Sequence, residues 1–432
     1  VSHRGISKLN IGISKEKITY LGNSLKPARK IIHLKKEFVF PGVIDPHVHF
    51  YLAAYGAKTG DDYFSGSVLG ALGGVTTFID YAIPKSKKAS LKKEVFRKVK
   101  IAREESALDF SFHPQILGWN EKIKREILEL IRKGFPTFKI FMPQTEGWGV
   151  NDWEILKAIE FTSENRGVVE FHAENGSLLD GLKKELIRRK RTKPKFYHFT
   201  GNSLCEAEAV SCLCSLGGAV NGTVYVAHLS SEKSLKIIKE ARKKKIKIFV
   251  ETCPQYVFLD KSVYKTKRGF LFCLNPVLKS EEDRKFLFSS LSNGIDWIGT
   301  DHCFFKFKDK QKNKNNFLKI PKGLPGIGMS FPLLFESKVS YEKIAYLLSY
   351  SPAKHFGFKE KGEIRCGLDA DLFVPERGNF KRIAKKFGVY DWFPYEKINF
   401  VSKLTIRRGE IILNKGYFYA CRGSGRLIYR CF

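Results

Sequence analysis

The sequence predicts an α/β protein: a (β/α)8 TIM barrel with a small β-sandwich domain built from both chain termini. Eight short apolar runs alternate with amphipathic helical patterns, which indicates parallel strands joined by crossover helices. No GxGxxG motif follows any of these runs, so a closed barrel fits better than an open doubly wound sheet. A chain of 432 residues has room for such a barrel and one smaller domain.

The predicted strands can be counted along the chain. They are residues 43–45, 76–82, 109–116, 137–142, 168–174, 224–229, 247–253 and 296–302. Apolar residues at helical spacing lie between most of them, for example in NEKIKREILELIRKG and SEKSLKIIKEARKKK. We therefore predict the barrel over residues 42–357.

Both ends of the chain have a different pattern. The stretches ISKLNIGISKEKITYLG and VSKLTIRRGEIILNKGYFYA contain short strands and turn residues without a helical period. We assign residues 1–41 and 358–432 to the two parts of the small β-sandwich domain. Within the barrel, the run DKQKNKNN (309–316) is predicted to be a charged, polar loop.

The chain is strongly basic, with a formal net charge of +32 at pH 7. Such a charge would attract nucleic acid or an anionic membrane. Lys and Arg recur along the whole chain, however, as solvated helix faces would show, so we predict no nucleic-acid partner. Long apolar runs and a signal-peptide centre are missing, and the nine cysteines form no CxxC pair. We therefore expect a reduced, cytoplasmic protein without a membrane partner.

Four histidines follow predicted strands, at the end of the barrel where catalytic groups lie. In FPGVIDPHVHF, His47 and His49 lie on the same side of an extended chain, because side chains alternate. The fifth, sixth and eighth runs end near His172, His228 and Asp301. Their joint placement suits Zn²⁺ or a related divalent metal.

Each of these residues also has a simpler interpretation. A single histidine after a strand is more often a hydrogen-bonded residue of the core or surface, and we expect this for His113 and His198. Lys139, in TFKIFM, would lie inside the barrel, where burial disfavours the charged ammonium. A neutral amine can react with CO₂ to give a carbamate that bridges two metals. The alternative is a lysine that extends to the barrel end or pairs with an acid.

Ten motifs are spread over nearly the whole chain: PGVIDPHVHF, GALGGVTTFIDYAIP, TFKIFM, FHAENG, VYVAHLSS, ETCPQYVFLD, GTDH, SPAKHFG, KGEIRCGLDADLFV and GSGRLIYR. Together they resemble the cyclic amidohydrolases of the dihydropyrimidinase and hydantoinase family, relatives of allantoinase and dihydroorotase. The resemblance implies a metal-dependent hydrolase that opens a small cyclic amide or imide. It also implies a homotetramer.

The resemblance further implies two divalent metal ions, with Zn²⁺ favoured, bridged by Lys139 as N6-carboxylysine. The ligands of the first ion would be His47, His49 and Asp301, and those of the second would be His172 and His228. Asp301 would also take the proton of the attacking hydroxide and pass it to the leaving nitrogen.

Three positions depart from the patterns of the family. Gln144 stands where dihydropyrimidinases have a tyrosine that donates to the developing oxyanion, and losing such a donor can cost about 10²–10³ in rate. Phe50 stands where dihydroorotases have an arginine that binds the substrate carboxylate. Pro325 stands where hydantoinases have an asparagine. The resemblance implies that main-chain groups near Asn275 and Pro325 hold the ring, so side-chain changes there are tolerable.

The favoured function is that of a dihydropyrimidinase or hydantoinase, because DDYFSGSVLGALGGVTTFIDYAIP and DFSFHPQILGW resemble that branch. Allantoinase is the alternative, suggested by the missing tyrosine and by the PG of GLPGIGMSFPLLF (323–335), the loop expected to close on the substrate, and dihydroorotase is disfavoured. An alternative of another class is a non-catalytic, dihydropyrimidinase-like scaffold protein. Those proteins have lost metal ligands, whereas all six candidate ligand positions are filled here.

Substrate selectivity is expected in loops such as PQTEGWGVND (143–152), which contains Trp148.

Overall fold

Eight parallel strands form a barrel in the computed structural model, which describes residues 1–35, 37–143 and 149–432. In chain order they are Val43–Val48, Val75–Ala82, Asp109–Ile116, Thr137–Phe141, Val168–His172, Val224–Val226, Ile248–Thr252 and Trp297–Ile298. Each strand pairs in parallel with its neighbours in the chain. The predicted (β/α)8 barrel is confirmed, and the carboxyl ends of its strands form one mouth.

The first and eighth strands close the barrel through main-chain hydrogen bonds at their carboxyl ends. The amide of His49 donates to the carbonyl of His302 at 2.7 Å, and the amide of His302 donates to the carbonyl of His47 at 3.3 Å. The eighth strand has only two residues, so these bonds carry the closure. Closure of the barrel therefore brings the HxH motif and the GTDH motif together.

Helices cover the outside of the barrel. The longer ones are Tyr63–Leu72, Leu91–Glu105, Glu121–Arg132, Asp152–Glu164, Gly176–Arg188, Ser203–Ala219, Glu232–Lys243 and Glu281–Ser290. The shorter ones are Pro254–Phe258, Phe307–Gln311, Ser330–Glu336, Tyr341–Ala345, Ser351–Phe356 and Phe380–Lys385. In the third long helix the buried residues are Ile123, Ile127 and Leu130, which share one face. Among the described residues, none of the helices combines the length and apolarity needed to cross a bilayer.

A second, antiparallel sheet is built from both ends of the chain. Its strands in spatial order are Tyr417–Phe418, Glu410–Asn414, Phe400–Arg407, Leu372–Arg377 and Phe40–Pro41. The hairpin Asn10–Ser14 with Lys17–Gly22 shares an apolar core with this sheet, formed by Ile18, Leu372 and Leu404 among others. The predicted small β-domain made of both termini is confirmed, whereas its boundaries at residues 41 and 357 stay predictions.

Residues 425–431 return to the barrel and cover its base. The amide of Phe110 donates to the carbonyl of Arg426 at 2.9 Å. The buried Arg430 side chain donates to Ser111 Oγ at 2.9 Å and to Thr137 Oγ1 at 2.7 Å. The chain's own tail therefore closes the base, on the side opposite to the mouth.

The run 309–316 differs from the predicted polar loop. It begins within the helix Phe307–Gln311, and Lys310 is fully buried. The Lys310 Nζ donates to the carbonyls of Leu271 at 2.8 Å and Cys273 at 3.0 Å. The prediction is wrong for this residue because two main-chain acceptors replace water around its Nζ. A run of charged residues in the sequence does not reveal such acceptors.

Candidate metal centre

Two histidines and an aspartate lie together at the mouth, where the first and eighth strands meet. His47 Nε2 lies 3.3 Å from Asp301 Oδ1, and His49 Nε2 lies 3.1 Å from the same oxygen. One potential ligand atom of each residue lies within 4.8 Å of those of the other two. Two imidazole nitrogens and a carboxylate oxygen at this spacing could share one divalent ion.

The histidines of the fifth and sixth strands form a second group beside the first. His172 Nδ1 lies 3.0 Å from His228 Nε2, and the His228 ring centroid lies 5.5 Å from that of His47. Burial lowers the pKa of His228 well below its usual range, and the His172 ring and the Lys139 charge lower it further. Burial likewise lowers the pKa of His47, with Lys139 again contributing. Neutral imidazoles keep the lone pair that a metal ion needs.

Lys139 lies near both groups, on the inner side of the fourth strand. Its Nζ is buried and has no hydrogen-bond partner within the part of the chain that the structure describes. Glu170 Oε2 lies 3.6 Å away, and the centroid of the Tyr81 ring lies 5.1 Å away. The Nζ is thus buried without a hydrogen bond among the described residues, while the Glu170 carboxylate lies within ion-pair distance, which is the alternative that the sequence left open.

Two buried glutamates each contact one ring nitrogen of a histidine that is a candidate ligand. Glu251 Oε1 lies 2.7 Å from His47 Nδ1, and Glu174 Oε2 lies 3.0 Å from His172 Nε2. Such contacts fix the tautomer of a ligating histidine and leave its other nitrogen facing the centre. Sequence reasoning assigned no role to either glutamate. The signal was an acidic residue within or directly after a buried strand, as in KIFVETC and FHAENG.

Two of the candidate ligands have strained main chains. The φ angle is 50° at Asp301 and 37° at His228, in the left-handed region that favours glycine. Such strain costs about 1–3 kcal/mol and persists only where the surroundings enforce it. Beside Asp301, Thr300 donates its hydroxyl to Asp45 Oδ2 at 2.7 Å and its amide to Asp45 Oδ1 at 3.0 Å. Backbone strain of this kind is typical of functional sites.

The two histidines that we expected elsewhere lie outside this cluster. His113 is buried, with Nδ1 2.6 Å from Thr137 Oγ1 and Nε2 3.1 Å from the carbonyl of Pro46. Its hydrogen bonds make it a residue of the core. His198 lies beside Phe199, with ring centroids 4.0 Å apart.

The residues predicted to contact substrate lie on loops after the seventh and eighth strands. The Asn275 side chain accepts from Tyr197 OH at 2.6 Å and donates to Tyr55 OH at 3.4 Å. Pro325 lies in residues 323–327, which we call the closing segment. The amide of Gly323 in this segment donates to the carbonyl of Cys273 at 3.0 Å, so the two loops are neighbours.

The other two residues that we linked to the substrate, Gln144 and Trp148, lie outside the described residues.

Comparisons with known proteins agree with this architecture. The model of the amidohydrolase family matches residues 38–411. A D-hydantoinase of Ralstonia pickettii is 29% identical over 443 aligned residues, covering 100% of this chain and 97% of the relative. A D-phenylhydantoinase of Escherichia coli is 31% identical over 447 aligned residues, covering 100% of this chain and 96% of the relative.

Solved structures give the same result for the fold. The crystal structure of a dihydropyrimidinase from Brevibacillus agri superimposes with a TM-score of 0.95 at 28% identity. A D-hydantoinase from Thermus sp. superimposes with a TM-score of 0.94, also at 28% identity. Both comparisons cover 100% of this chain and 97% of the other. From the family match, the full-length relatives and the barrel with its candidate ligands, we conclude that this chain belongs to the amidohydrolase family.

Proposed function

We propose that the protein hydrolyses the ring C–N bond of a cyclic amide or imide of the hydantoin or dihydropyrimidine type. The observation that carries this proposal is the convergence of four histidines, one lysine and one aspartate at the mouth of the barrel. The names of the full-length relatives, which are hydantoinases, support the same chemistry. The hydantoin and dihydropyrimidine branch is therefore preferred over the alternatives of allantoinase, dihydroorotase and a non-catalytic scaffold.

The donor set suits two divalent ions, and imidazole ligands favour Zn²⁺. The residues that would hold the first ion are His47, His49 and Asp301, and those that would hold the second are His172 and His228. When bound, such a pair of ions supplies an acidified water and polarises the ring carbonyl.

Lys139 would bridge the two ions as N6-carboxylysine. The support for this assignment is that Nζ is buried near both histidine groups and makes no hydrogen bond within the described part of the chain. The lysine nitrogen would form a bond to the carbon of CO₂ and release one proton, which leaves a carbamate with two oxygens. Glu251 and Glu174 would then hold His47 and His172 in the tautomers that binding requires.

Asp301 would accept the proton of the attacking hydroxide and deliver it to the ring nitrogen as the C–N bond breaks. Its side chain lies at the mouth and keeps 14% of its surface exposed, so a substrate can approach it. Main-chain groups near Asn275 and Pro325 would hold the imide of the ring. Gln144 would take the place of the oxyanion-stabilising tyrosine of the family. A homotetramer, a cytoplasmic location and these substrate contacts stay predictions.

The first experiment is elemental analysis of the purified protein, combined with hydrolysis assays on hydantoin, dihydrouracil, allantoin and dihydroorotate. We expect about two zinc ions per chain and turnover of hydantoin or dihydrouracil. The variant Lys139→Ala should lose the metal pair and the activity. The matched control is His198→Asn, which changes a histidine outside the cluster and should retain both.

Two results would contradict the proposal. Full activity and two metal ions in Lys139→Ala would exclude the carbamate. A parent protein that binds metal but opens none of the four rings would exclude the substrate class.

A further inference from the structure

His302, which directly follows Asp301, is fully buried and is held on both of its ring nitrogens. Its Nδ1 accepts from the main-chain amides of Gly326 at 2.9 Å and Ile327 at 3.2 Å. Its Nε2 lies 2.6 Å from Asp61 Oδ2. Because main-chain amides only donate, Nδ1 is the acceptor and Nε2–H donates to Asp61. The ring is thereby fixed in one tautomer and one orientation.

Asp61 is held in turn by the C-terminal part of the chain. The hydroxyl of the buried Tyr390 donates to Asp61 Oδ2 at 2.7 Å. Close by, Trp392 Nε1 donates to the carbonyl of Phe305 at 2.8 Å. We call His302, Asp61 and Tyr390 the His302 latch. The latch joins three segments that are distant in sequence, and it ends at the closing segment.

The closing segment is tied down on both sides of Pro325. Before Pro325, the carbonyl of Leu324 accepts from the amide of Cys303 at 2.8 Å. After Pro325, the amide of Gly326 donates to His302. Proline has no amide proton, so the carbonyl is the only main-chain polar group that Pro325 can offer a ligand. The peptide that joins Pro325 to Gly326 is planar and trans, so this carbonyl points opposite to the Gly326 amide, which donates to the ring of His302. The direction of the carbonyl therefore depends on the ring of His302.

We propose that His302 is a positioning residue that orients the Pro325 carbonyl toward the N–H of a cyclic imide substrate. This inference rests on the proposed function. Asp301 and His302 are consecutive, so one short stretch of chain would position both the carboxylate that moves the proton and the carbonyl that holds the ring. Fixing both groups in advance lowers the cost of reaching the reactive geometry. The substrate class is a ring with an N–H donor, such as hydantoin.

A purely structural latch would stabilise the fold without affecting substrate binding, so the test must separate the two roles. We compare His302→Asn with His302→Leu, both made together with Asp61→Asn so that no unpaired buried charge remains. Asparagine keeps an oxygen acceptor near the position of Nδ1, whereas leucine removes it. Both lose the imidazole contact to residue 61. The difference between them therefore reports the bond to the closing segment alone.

The measurements are metal content, melting temperature, and kcat and KM for hydantoin. We expect the leucine variant to raise KM about tenfold at unchanged metal content, because the acceptor for two amides is lost. The asparagine variant should restore KM to within about threefold of the Asp61→Asn parent. Equal KM values in the two variants, at either level, would overturn the proposed role and leave His302 as a structural residue.

Failure of the proposed function can be recognised separately. Calorimetric binding of hydantoin to the metal-loaded protein is measured alongside turnover. If the parent binds hydantoin without hydrolysing it, the proposed function fails, but weaker binding in the leucine variant than in the asparagine variant still supports the latch. If the parent does not bind hydantoin at all, both proposals are overturned.

Discussion

Glu251 links the two groups of candidate ligands. Its Oε1 lies 2.7 Å from His47 Nδ1 and accepts the amide of His228 at 3.1 Å, while its Oε2 accepts from Trp297 Nε1 at 3.1 Å. Burial raises the pKa of Glu251, and the nearby Glu170 carboxylate raises it further. Bound cations at the mouth would oppose this shift and favour the ionised carboxylate. One buried side chain thus supports a histidine from each group.

Replacing Glu251 with leucine should weaken metal binding about 10- to 100-fold, because His47 loses the acceptor that fixes its tautomer. The measurement is the metal that remains after dialysis against graded concentrations of a chelator. Glu251→Gln is the matched control, since its amide oxygen can still accept from His47 Nδ1. We expect it to retain more metal than the leucine variant. Equal metal loss in both variants would show that the negative charge of Glu251, and not its hydrogen-bond acceptor, determines binding.

Asp301→Ala should separate metal binding from turnover. The other candidate ligands remain, so the variant should keep at least one ion per chain, while kcat should fall about 10²–10⁴-fold with the loss of the proton carrier. Metal content and single-turnover rates on hydantoin are the measurements. His49→Ala serves as the comparison, because it removes a candidate ligand without removing the proton carrier. An Asp301→Ala protein with parent-like kcat would remove Asp301 from the proton path.

The sequence predicted the barrel and the residues that cluster at its mouth as candidate ligands for one physical reason. Parallel strands that are buried on both faces are apolar, so a polar residue at a strand end, such as His172 or Asp301, is conspicuous. The hydrogen-bond partners of residues at the mouth could not be predicted in the same way. His302 and Asp61 are far apart in sequence, and their contact depends on how loops pack at the mouth. Periodicity assigns a residue to a face but does not identify the neighbour across it.

Lys361 joins the barrel to the small β-domain and gives a prediction about stability. Its buried Nζ lies 2.7 Å from Asp109, 3.0 Å from Asp369 and 2.7 Å from Asp371. Lys361→Met would leave these carboxylates without their common cation, and we expect a loss of about 3–5 kcal/mol in the free energy of unfolding. Denaturant unfolding measures this change.

A matched control for Lys361→Met is Lys17→Met. Lys17 Nζ lies 2.8 Å from Asp369 Oδ1, but its side chain is 34% exposed. Partly exposed ion pairs contribute at most about 1 kcal/mol, so this variant should be close to the parent. If the two variants lose equal free energy of unfolding, burial does not strengthen the contribution of the Lys361 ion pairs to stability. The metal content of both should stay at the parent level, because neither lysine contacts the mouth.

The burial of Lys310 makes the free energy of unfolding depend on pH. Burial lowers the pKa of Lys310 from 10.5 to about 7 in the folded protein. Between these two values the unfolded chain binds more protons than the folded one, so the free energy of unfolding rises with pH. Below the folded pKa both states are protonated, and this contribution to stability is absent. The window for the effect therefore lies above neutral pH.

Lys310→Met should remove this pH dependence. Between about pH 7 and about pH 9 the parent should gain about 2 kcal/mol relative to the variant, as expected for one group that loses its proton in the folded protein and stays protonated in the unfolded chain. The variant should be less stable throughout, since the carbonyls of Leu271 and Cys273 lose their donor. Denaturant unfolding of both proteins at the two pH values measures the difference directly. Parallel pH profiles of the free energy of unfolding would mean that Lys310 stays protonated in the folded protein. In that case the two carbonyls, together with the Trp392 ring whose centroid lies 5.5 Å from Nζ, are sufficient to stabilise a buried ammonium.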